Sequence, residues 1–565
     1  MRKKFKPGVT FGDFIVHDSA VKKTRVDSSV PADYRRGWLA WMMVVVLFAI
    51  LGVRLVGLQL FYGGRYRTLA DENRIKTIKL PAPRGEITDR NGRVLAVSQK
   101  TSAGWVRQYP LGANAAQVVG YVSQVNADEV GLLKDAGEQY DIGDMMGRTG
   151  VEQVYEKSLR GQDGGRLVEV DHEGREVREL GRRNPIPGQG LKLSVDANLQ
   201  MRATEAMAGK KGAVIASNPQ TGEVLALVSS PSFDPNLIST DYAKYAVDAN
   251  LPMFDRAIGA IYPPGSTFKM TVTAAAITDK KVDPNFTFLD QGIIRVGSFS
   301  YTNWLYSRGG GTEGTIGFAR AITRSTDTFF YKIGELTGPD TIAKWARAVG
   351  MGAKTGIDLP GEVAGLIPTP DWKLRVKGEE WFLGDTYHMA IGQGDVLVTP
   401  LQINLMTNVM ATAGKKCRLH MTAAGKVSCS QVPIDPVAVG IIHQGMVGAC
   451  SPGGTAFPIF DWNEAAAKGL AAGTFAKSMD GQPLPLVACK TGTAEYVAAD
   501  GKTHLHGWLT AYAPADNPTI SVTVVMEGGG EGSNVAAPVV RQVLAKYFNV
   551  TDTYPYQNIP QQISE

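Results

Sequence analysis

The strongest hydrophobic pattern in the chain is an apolar run close to its N-terminus. From Gly37 the sequence reads GWLAWMMVVVLFAILGV before it meets Arg54, and LVGLQLFY follows. A helix needs about 20 apolar residues to cross the hydrocarbon of a bilayer. No Ala-x-Ala cleavage signal follows the run, so we expect an uncleaved anchor over residues 37–60 and a cytoplasmic tail over residues 1–36. A buried core helix is the alternative interpretation of the same run.

Residues 61–190 lack a regular hydrophobic pattern and are rich in charges and turn signals. The Arg90-Asn91-Gly92 tripeptide and the polar stretch 161–165 both favour turns. A boundary is predicted in the segment NPIPG (184–188), after which the alternating segment LKLSV begins. We interpret residues 61–190 as an elongated module that stands the next domain off the membrane.

Further along, short apolar strands bracket a long helical region. Five segments have strand patterns: GAVIAS, EVLALVS, PLPLVACKTGT, HGWLTAYAP and TISVTVVME. An insertion from 230 to 480 splits this set and contains segments with helical spacing, FARAITRSTDTFFYKIGEL and DTIAKWARAVG. An antiparallel sheet with helices on both faces would bury both of its faces. The fold class predicted for residues 191–550 is therefore α+β, with a short tail over residues 551–565.

The composition narrows the classes of function. A chain of 565 residues is longer than one ordinary core, so two or more folded units are expected. The 59 basic and 54 acidic residues leave a formal net charge of +5, and no Lys/Arg run is interleaved with aromatic residues. Nucleic-acid binding is therefore not expected.

The four cysteines are too few for a disulfide scaffold. Cys417 and Cys429 flank a probable turn and could form one bridge, with two free thiols as the second interpretation. A zinc site using these two cysteines and His420 is the third, but it lacks a fourth ligand. Cys489 is interpreted as a small buried thiol. We predict neither a metal nor a cofactor.

The segment Tyr262-Pro263-Pro264-Gly265-Ser266 stops the chain before a helix-compatible stretch. A helix is predicted to begin at or next to Ser266, where free backbone N–H groups favour negative charge. Lys269 is three residues on, so it lies on the same face and can reach the serine hydroxyl. As a base near neutral pH it needs a pKa well below the usual value of about 10.4. Burial and a second nearby cation would provide that shift.

A lone Ser-x-x-Lys match carries little weight, since a second copy occurs at Ser19 to Lys22. Two further elements follow in the order that serine acyltransferases use. Ser325-Thr326-Asp327 lies in a predicted helix, and Lys490-Thr491-Gly492-Thr493 ends an apolar strand. A second Lys-Thr-Gly at Lys354 enters a turn-rich stretch, so we assign it to a loop and Lys490 to the site.

Together these motifs resemble those of the class B penicillin-binding proteins. The resemblance also covers PRGEITDRNGRVLA (83–96), GRTGVEQVYEKSLRG (147–161), NPQTGEVLALVSSPSFDPN (218–236) and GQGDVLVTPLQ (392–402). The aspartate at 327, where Ser-x-Asn is commoner, and the TFFY that follows are most similar to the elongation-type penicillin-binding protein 2 group. The resemblance implies a penicillin-binding/β-lactamase-like transpeptidase domain on a pedestal, or dimerisation-like, domain.

The resemblance also implies residue roles. Ser266 would attack the penultimate D-Ala carbonyl of a stem peptide while Lys269 takes its proton. Ser325 would relay a proton, and Lys490 would supply positive charge that keeps Lys269 neutral. An ionised Asp327 would instead raise the pKa of Lys269, which leaves the division of labour among these groups open.

Substrate binding is assigned to Thr491, Gly492 and Thr493. The two threonines would bind the substrate carboxylate or its β-lactam mimic, and the glycine lets the substrate backbone approach. Backbone N–H groups of Ser266 and Thr493 would form the oxyanion hole.

The activity implied is peptidoglycan D,D-transpeptidation during wall elongation, inhibited by β-lactams. The expected partners are stem peptides, β-lactams, a polytopic membrane glycan polymerase and other elongation-complex proteins. Basic residues flank both ends of the anchor, so charge does not set its orientation. The chemistry places the catalytic domain outside the cytoplasmic (inner) membrane. A D,D-carboxypeptidase or β-lactamase is the second interpretation, and a β-lactam sensor or non-catalytic scaffold is the third.

Overall fold

The structure is a computed structural model that describes residues 10–11, 14–15, 34–102, 104–171, 173–423, 427–498 and 501–556. Most of the predicted tail 1–36, the second Ser-x-x-Lys copy and residues 557–565 lie outside the described residues. The chain divides into two compact units. One unit comprises residues 1–78 and 166–182, and the other comprises residues 79–165 and 183–565.

The first unit contains the predicted anchor. Helix α1 (Tyr34–Val56) continues as a π-helical turn (Gly57–Phe61), and a second helix spans Gly63–Arg74. Residues Arg35–Phe61 have a mean hydropathy of 2.5 and none of the apolar window is buried. By length and composition this helix is able to cross a membrane. Strands complete the unit: Glu176–Arg183, Gly164–Val170 and Ile75–Leu80 form one sheet in that order, and Thr10–Phe11 pairs with Phe14–Ile15.

The second unit begins with a small mixed module. A four-stranded sheet has the order Leu191–Lys192, Ile87–Thr88, Val94–Thr101 and Gly104–Gln108, and Val122–Gln124 pairs with Met145–Gly147. Its helices are Ala116–Val119, Ala127–Asp135, Gly150–Val154 and Glu156–Leu159. Glu152 is fully buried and accepts bonds from Arg84 Nη2 and Arg107 Nε, each at 2.7 Å. This buried charge cluster joins three segments of the module.

The larger part of the second unit is built on the predicted five-stranded antiparallel sheet. Its strands are β1 (Gly212–Ser217), β2 (Val224–Ser230), β3 (Ala488–Val497), β4 (Thr503–Ala513) and β5 (Ile520–Met526), in the order β2-β1-β5-β4-β3. Successive residues of β1 enter two different hydrophobic cores: Ala213 and Ile215 pack in one, and Val214 and Ala216 in the other. Both faces are covered, which explains why every residue of β1 is buried.

Helices cover the sheet as predicted. Those near the site are α2 (Lys269–Thr278), α3 (Phe318–Arg324), α4 (Asp327–Thr337) and α5 (Pro436–Ala449). The remaining helices are Ala197–Met207, Ile238–Val247, Trp304–Gly309, Pro339–Ala348, Pro370–Lys377, Leu383–Ala390, Pro400–Ala411, Phe460–Ala467, Gly532–Val535 and Ala537–Tyr547. Short pairs join Thr287–Asp290 to Gly314–Gly317, Ile293–Val296 to Phe299–Thr302, Lys415–Cys417 to Cys429–Gln431, and Ala476–Ser478 to Val550–Asp552.

The cysteines form two disulfides. Cys417 and Cys429 face each other across the 415–417/429–431 strand pair and are bonded, which confirms the predicted bridge. Both sulfurs are used in this bond, so the zinc interpretation is excluded. The interpretation of Cys489 as a free buried thiol was wrong, because it is bonded to Cys450. These partners are 39 residues apart, and no local turn pattern in the sequence connects them.

Candidate active site

The Ser266 turn is held against strand β3. Ser266 lies in a 3-10 turn (Gly265–Phe268) that continues into α2, so the helical segment begins where the sequence predicted. Gly265 has a φ of +54°, and a Cβ there would lie 2.6 Å from the carbonyl oxygen of Thr493. Only glycine allows this approach in this backbone conformation. The half-buried Ser266 is thereby brought beside the Lys-Thr-Gly strand.

The Lys269 side chain is fully buried and points to the Ser325 turn. Its Nζ donates to the carbonyl oxygen of Ser325 at 2.7 Å and to Asp327 Oδ1 at 2.6 Å, and lies 3.3 Å from Ser325 Oγ. Among the described residues, the hydroxyl of Ser266 makes no hydrogen bond. The predicted contact between Lys269 and that hydroxyl is therefore not a hydrogen bond in this structure, where the amine is bonded to Ser325 and Asp327.

Ser325 ends α3 and Asp327 begins α4, so the single predicted helix over 318–336 is two helices. The break occurs because Ser325 adopts a left-handed conformation, with φ +59° and ψ +37°. A non-glycine residue in this region costs about 1 kcal/mol or more and is found where the surroundings fix it. The turn presents the hydroxyl of Ser325 and the carboxylate of Asp327 to the same amine.

Lys490 contacts the same hydroxyl from strand β3. It lies in β3, is fully buried, and donates to Ser325 Oγ at 2.8 Å and to the carbonyl oxygen of Thr491 at 3.0 Å. The Ser325 hydroxyl therefore lies between the amines of Lys269 and Lys490. A hydroxyl has one donor and two acceptor sites, so it can pass a proton between two amines.

The two buried amines differ in basicity. Burial lowers the pKa of Lys269, but the charge of Asp327 and its hydrogen bond oppose that effect. Burial lowers the pKa of Lys490 much further, and the positive charge of Lys269 adds to the effect. The carboxylate of Asp327 thus makes Lys269 the more basic of the two buried amines. The sequence left this division of roles open, and the contact between Lys269 and Asp327 is what distinguishes the two amines.

The predicted substrate-binding residues follow Lys490 along β3, the edge strand of the sheet. The hydroxyls of Thr491 and Thr455 are 2.7 Å apart. There is little room for a side chain at Gly492, because a Cβ there would lie 3.0 Å from the carbonyl oxygen of Pro264. Thr493 packs by its backbone against the Ser266 turn. The structure therefore brings all eight predicted site residues into one region.

The second Lys-Thr-Gly copy is not part of this region. Lys354 lies in a loop, as predicted. Its neighbour Thr355 is held by Glu362, which accepts bonds from the Thr355 hydroxyl and backbone N–H, each at 2.6 Å. The two copies differ in surroundings rather than in sequence.

Sequence reasoning missed residues that hold the reacting groups in place. Trp508 lies opposite Gly492 on β4, and its indole N–H donates to the carbonyl oxygen of Pro263 at 3.0 Å. The buried pair Arg324–Glu313, at 2.6 Å, holds the residue before Ser325. A large aromatic residue in a strand next to a glycine-containing strand was the available signal for Trp508. The Arg324–Glu313 pair had no signal, because its partners come from different segments.

Comparison with known proteins identifies the class that this fold and site define. The sequence model of the family described as the penicillin-binding protein transpeptidase domain matches residues 212–545. The family model of the penicillin-binding protein dimerisation domain matches residues 100–193. The first match covers more than half of the chain, so the chain belongs to the penicillin-binding protein transpeptidase family.

Individual relatives extend this result over nearly the whole chain. The chain is 31% identical to the peptidoglycan D,D-transpeptidase MrdA of Haemophilus influenzae, over 91% of this chain and 92% of the relative. It is 31% identical to PBP2 of Pseudomonas aeruginosa, with a TM-score of 0.70 over 87% of this chain and 100% of that one. It is also 30% identical to a chain in a solved peptidoglycan synthase complex that is described as coordinating polymerization and crosslinking. The TM-score of that comparison is 0.70, over 91% of this chain and 98% of the other.

Proposed function

We propose that this protein is a peptidoglycan D,D-transpeptidase that cross-links stem peptides during cell wall elongation and is inhibited by β-lactams. The similarity to MrdA and PBP2 supports the reaction and the elongation role. The observation that carries the proposal is the placement of the Ser325 hydroxyl 2.8 Å from Lys490 Nζ and 3.3 Å from Lys269 Nζ, beside the Ser266 turn. This arrangement provides a nucleophile and a route for its proton.

Acylation begins when Ser266 Oγ attacks the carbonyl of the penultimate D-Ala. Lys269 must be neutral to accept the serine proton, and its ion pair with Asp327 favours the protonated form instead. The substrate carboxylate, bound beside Lys490, raises the pKa of that amine. A proton then passes from Lys269 through the Ser325 hydroxyl to Lys490. Substrate binding thus generates the base.

The remaining steps use groups on both sides of the cleft. Backbone N–H groups of Ser266 and Thr493 stabilise the oxyanion, each worth about a hundred- to a thousandfold in rate. The hydroxyls of Thr491 and Thr493 bind the terminal carboxylate. Terminal D-Ala leaves as an amine that takes a proton from the Lys269–Ser325–Lys490 relay. An amine of a neighbouring stem peptide then attacks the ester and restores the serine.

The rest of the chain would place this chemistry outside the cytoplasmic (inner) membrane. We assign residues 1–36 to a cytoplasmic tail, 37–60 to a single-pass anchor, 61–190 to the dimerisation domain, 191–550 to the transpeptidase domain and 551–565 to a tail. The similarity to a chain in a peptidoglycan synthase complex supports a polytopic glycan polymerase as partner. Other elongation-complex proteins are further partners under this proposal.

The direct test is a turnover assay with the full chain in detergent. A stem pentapeptide donor is supplied with and without an amine acceptor, and release of D-Ala and formation of the cross-linked peptide are followed by chromatography. We expect cross-linked product from the parental protein and none from Ser266→Ala. Ser19→Ala, in the second Ser-x-x-Lys copy, is the matched control and should keep the parental rate. Hydrolysis alone in the presence of acceptor, or parental cross-linking by Ser266→Ala, would overturn the proposal.

A further inference from the structure

The segment Cys450–Thr455, called here the 450–455 segment, contacts the strand that carries Lys490 at two points. Cys450 directly follows α5 and is bonded to Cys489, the residue before Lys490. The Cα atoms of the two cysteines are 5.7 Å apart, and both side chains are fully buried. The disulfide therefore attaches the segment covalently to β3 within the core.

The second contact lies on the other side of Lys490. The hydroxyls of Thr455 and Thr491 are 2.7 Å apart. Alternate residues of a strand face the same side, so Cys489 and Thr491 both lie on the side of β3 that contacts the 450–455 segment. The segment consequently holds the backbone before and after Lys490.

A third contact links the same segment to the Ser325 turn. Nη1 of Arg324 lies 3.3 Å from the carbonyl oxygen of Gly453 and 3.4 Å from that of Gly454. Arg324 is the residue before Ser325 and is fixed on its other side by Glu313. The 450–455 segment thus contacts the neighbours of both Lys490 and Ser325.

We propose that the 450–455 segment, anchored by the Cys450–Cys489 disulfide, is a positioning element that sets the separation of Lys490 Nζ and Ser325 Oγ. Strand β3 is at the edge of the sheet and, within the part of the chain that the structure describes, has a hydrogen-bonded neighbouring strand on one side only. The disulfide supplies a constraint that a second neighbouring strand would otherwise provide. Because the inference rests on the proposed function, its effect is expected in acylation.

Forming this positioning element requires an oxidation. The thiols of Cys450 and Cys489 together lose two protons and two electrons, and a disulfide oxidant takes up both to become two thiols. Oxidised glutathione supplies this chemistry in vitro. Full acylation activity is therefore reached only after the Cys450–Cys489 bond has formed, which suits an oxidising compartment outside the cytoplasm.

The test compares the two disulfides of the chain. Cys450→Ala/Cys489→Ala removes the proposed positioning bond, and Cys417→Ala/Cys429→Ala is the matched control at a hairpin. Acylation of the full chain in detergent by a fluorescent penicillin is measured over a range of concentration and pH, which separates noncovalent binding from the acylation rate constant. A displacement of reacting groups by 1 Å can cost about a hundredfold, so we expect a loss of about tenfold or more in the acylation rate constant.

Noncovalent binding should change little in Cys450→Ala/Cys489→Ala, and the pH profile of acylation should shift, which loss of stability alone would not cause. The control should keep both parental values. Thr455→Val removes only the hydrogen bond to Thr491 and should lower the acylation rate constant in the same direction. Alkylation of the unfolded parental protein followed by mass spectrometry should show no free thiol at either position.

Two results would overturn the inference. One is a parental rate constant and pH profile in Cys450→Ala/Cys489→Ala or, if that variant does not fold, in Thr455→Val. The other is full parental activity while Cys450 and Cys489 are alkylated as free thiols. Failure of the proposed function is distinguishable, because then the parental protein would form no penicillin adduct at Ser266 in any disulfide state.

Discussion

Lys269 and Asp327 form a 2.6 Å ion pair in the cleft, and the lysine side chain is fully buried. The carboxylate stabilises the protonated amine that the mechanism must deprotonate. Asp327 therefore opposes the effect of burial on the pKa of Lys269. The ion pair therefore favours the charged amine, whereas burial of the same amine favours the neutral form.

Replacing Asp327 by Asn should move the pH dependence of acylation. The carboxylate raises the pKa of Lys269, so removing it lowers that pKa and leaves more neutral amine at a given pH. The rising limb of the acylation rate against pH should shift to lower pH. Fluorescent penicillin labelling across the pH range measures this shift. Asp371→Asn, at an exposed position, is the control, and an unchanged midpoint in Asp327→Asn would contradict the assigned role.

Lys490 and Lys354 head identical tripeptides in different surroundings, which allows a matched comparison. Lys490→Ala removes the second amine of the relay and should lower the acylation rate constant by about a hundredfold or more. Lys490→Arg should also be slow, since guanidinium remains charged and cannot accept a proton near neutral pH. Lys354→Ala should retain the parental rate. Equal losses in the Lys490→Ala and Lys354→Ala variants would show that the loss is not specific to the site.

The buried negative charge of Glu152 is compensated by two arginines. It is fully buried and pairs with Arg84 and Arg107. Glu152→Gln leaves both guanidinium groups without their shared charge and should destabilise the protein by about 3 kcal/mol. Urea unfolding of the full chain measures this as a lower midpoint. Glu138→Gln, which breaks an exposed pair with Lys157, should cost less than about 1 kcal/mol, and similar costs for both variants would contradict the burial argument.

His506 should make the stability depend on pH between neutral and mildly acidic conditions. It stacks on Tyr496 and accepts a hydrogen bond from the backbone N–H of Gly528 at 3.2 Å. Burial lowers the pKa of His506 from 6.5 to about 4. The unfolded chain therefore binds a proton that the folded chain does not in this interval, so stability falls as the pH falls from 6.5 towards 4.

The free energy of unfolding is expected to fall by about 2 kcal/mol over this interval. This is less than the full difference in the pKa of His506 would give, because water reaches part of the site. Urea midpoints of the parental protein and His506→Phe, measured at pH 7 and pH 4.5, give the contribution of this residue. The variant should lose less stability over that interval than the parental protein. An identical pH dependence of the urea midpoint in the two proteins would contradict the prediction.

The sheet and its covering helices were predictable because the spacing of hydrophobic residues along the chain follows which positions are buried. Strands β1 and β5 are mostly apolar and buried throughout, and the turns between strands are marked by polar residues, glycine or proline. The order of the three motifs also specified which residues meet. These features depend on local sequence, so they were accessible without coordinates.

Features that depend on tertiary contacts were not accessible. The left-handed Ser325 that breaks the helix is stabilised by its surroundings rather than by its side-chain type. The Cys450–Cys489 bond joins residues 39 apart. The sequence left open how Asp327 affects the basicity of Lys269, because that depends on the distance between the two side chains.

The identity of the acylated serine tests the central claim most directly. The full chain in detergent is incubated with a penicillin, digested, and the modified peptide is mapped by mass spectrometry. We predict one covalent adduct, located on Ser266 and absent from the Ser266→Ala variant. An adduct on another residue, or its persistence in Ser266→Ala, would contradict the account.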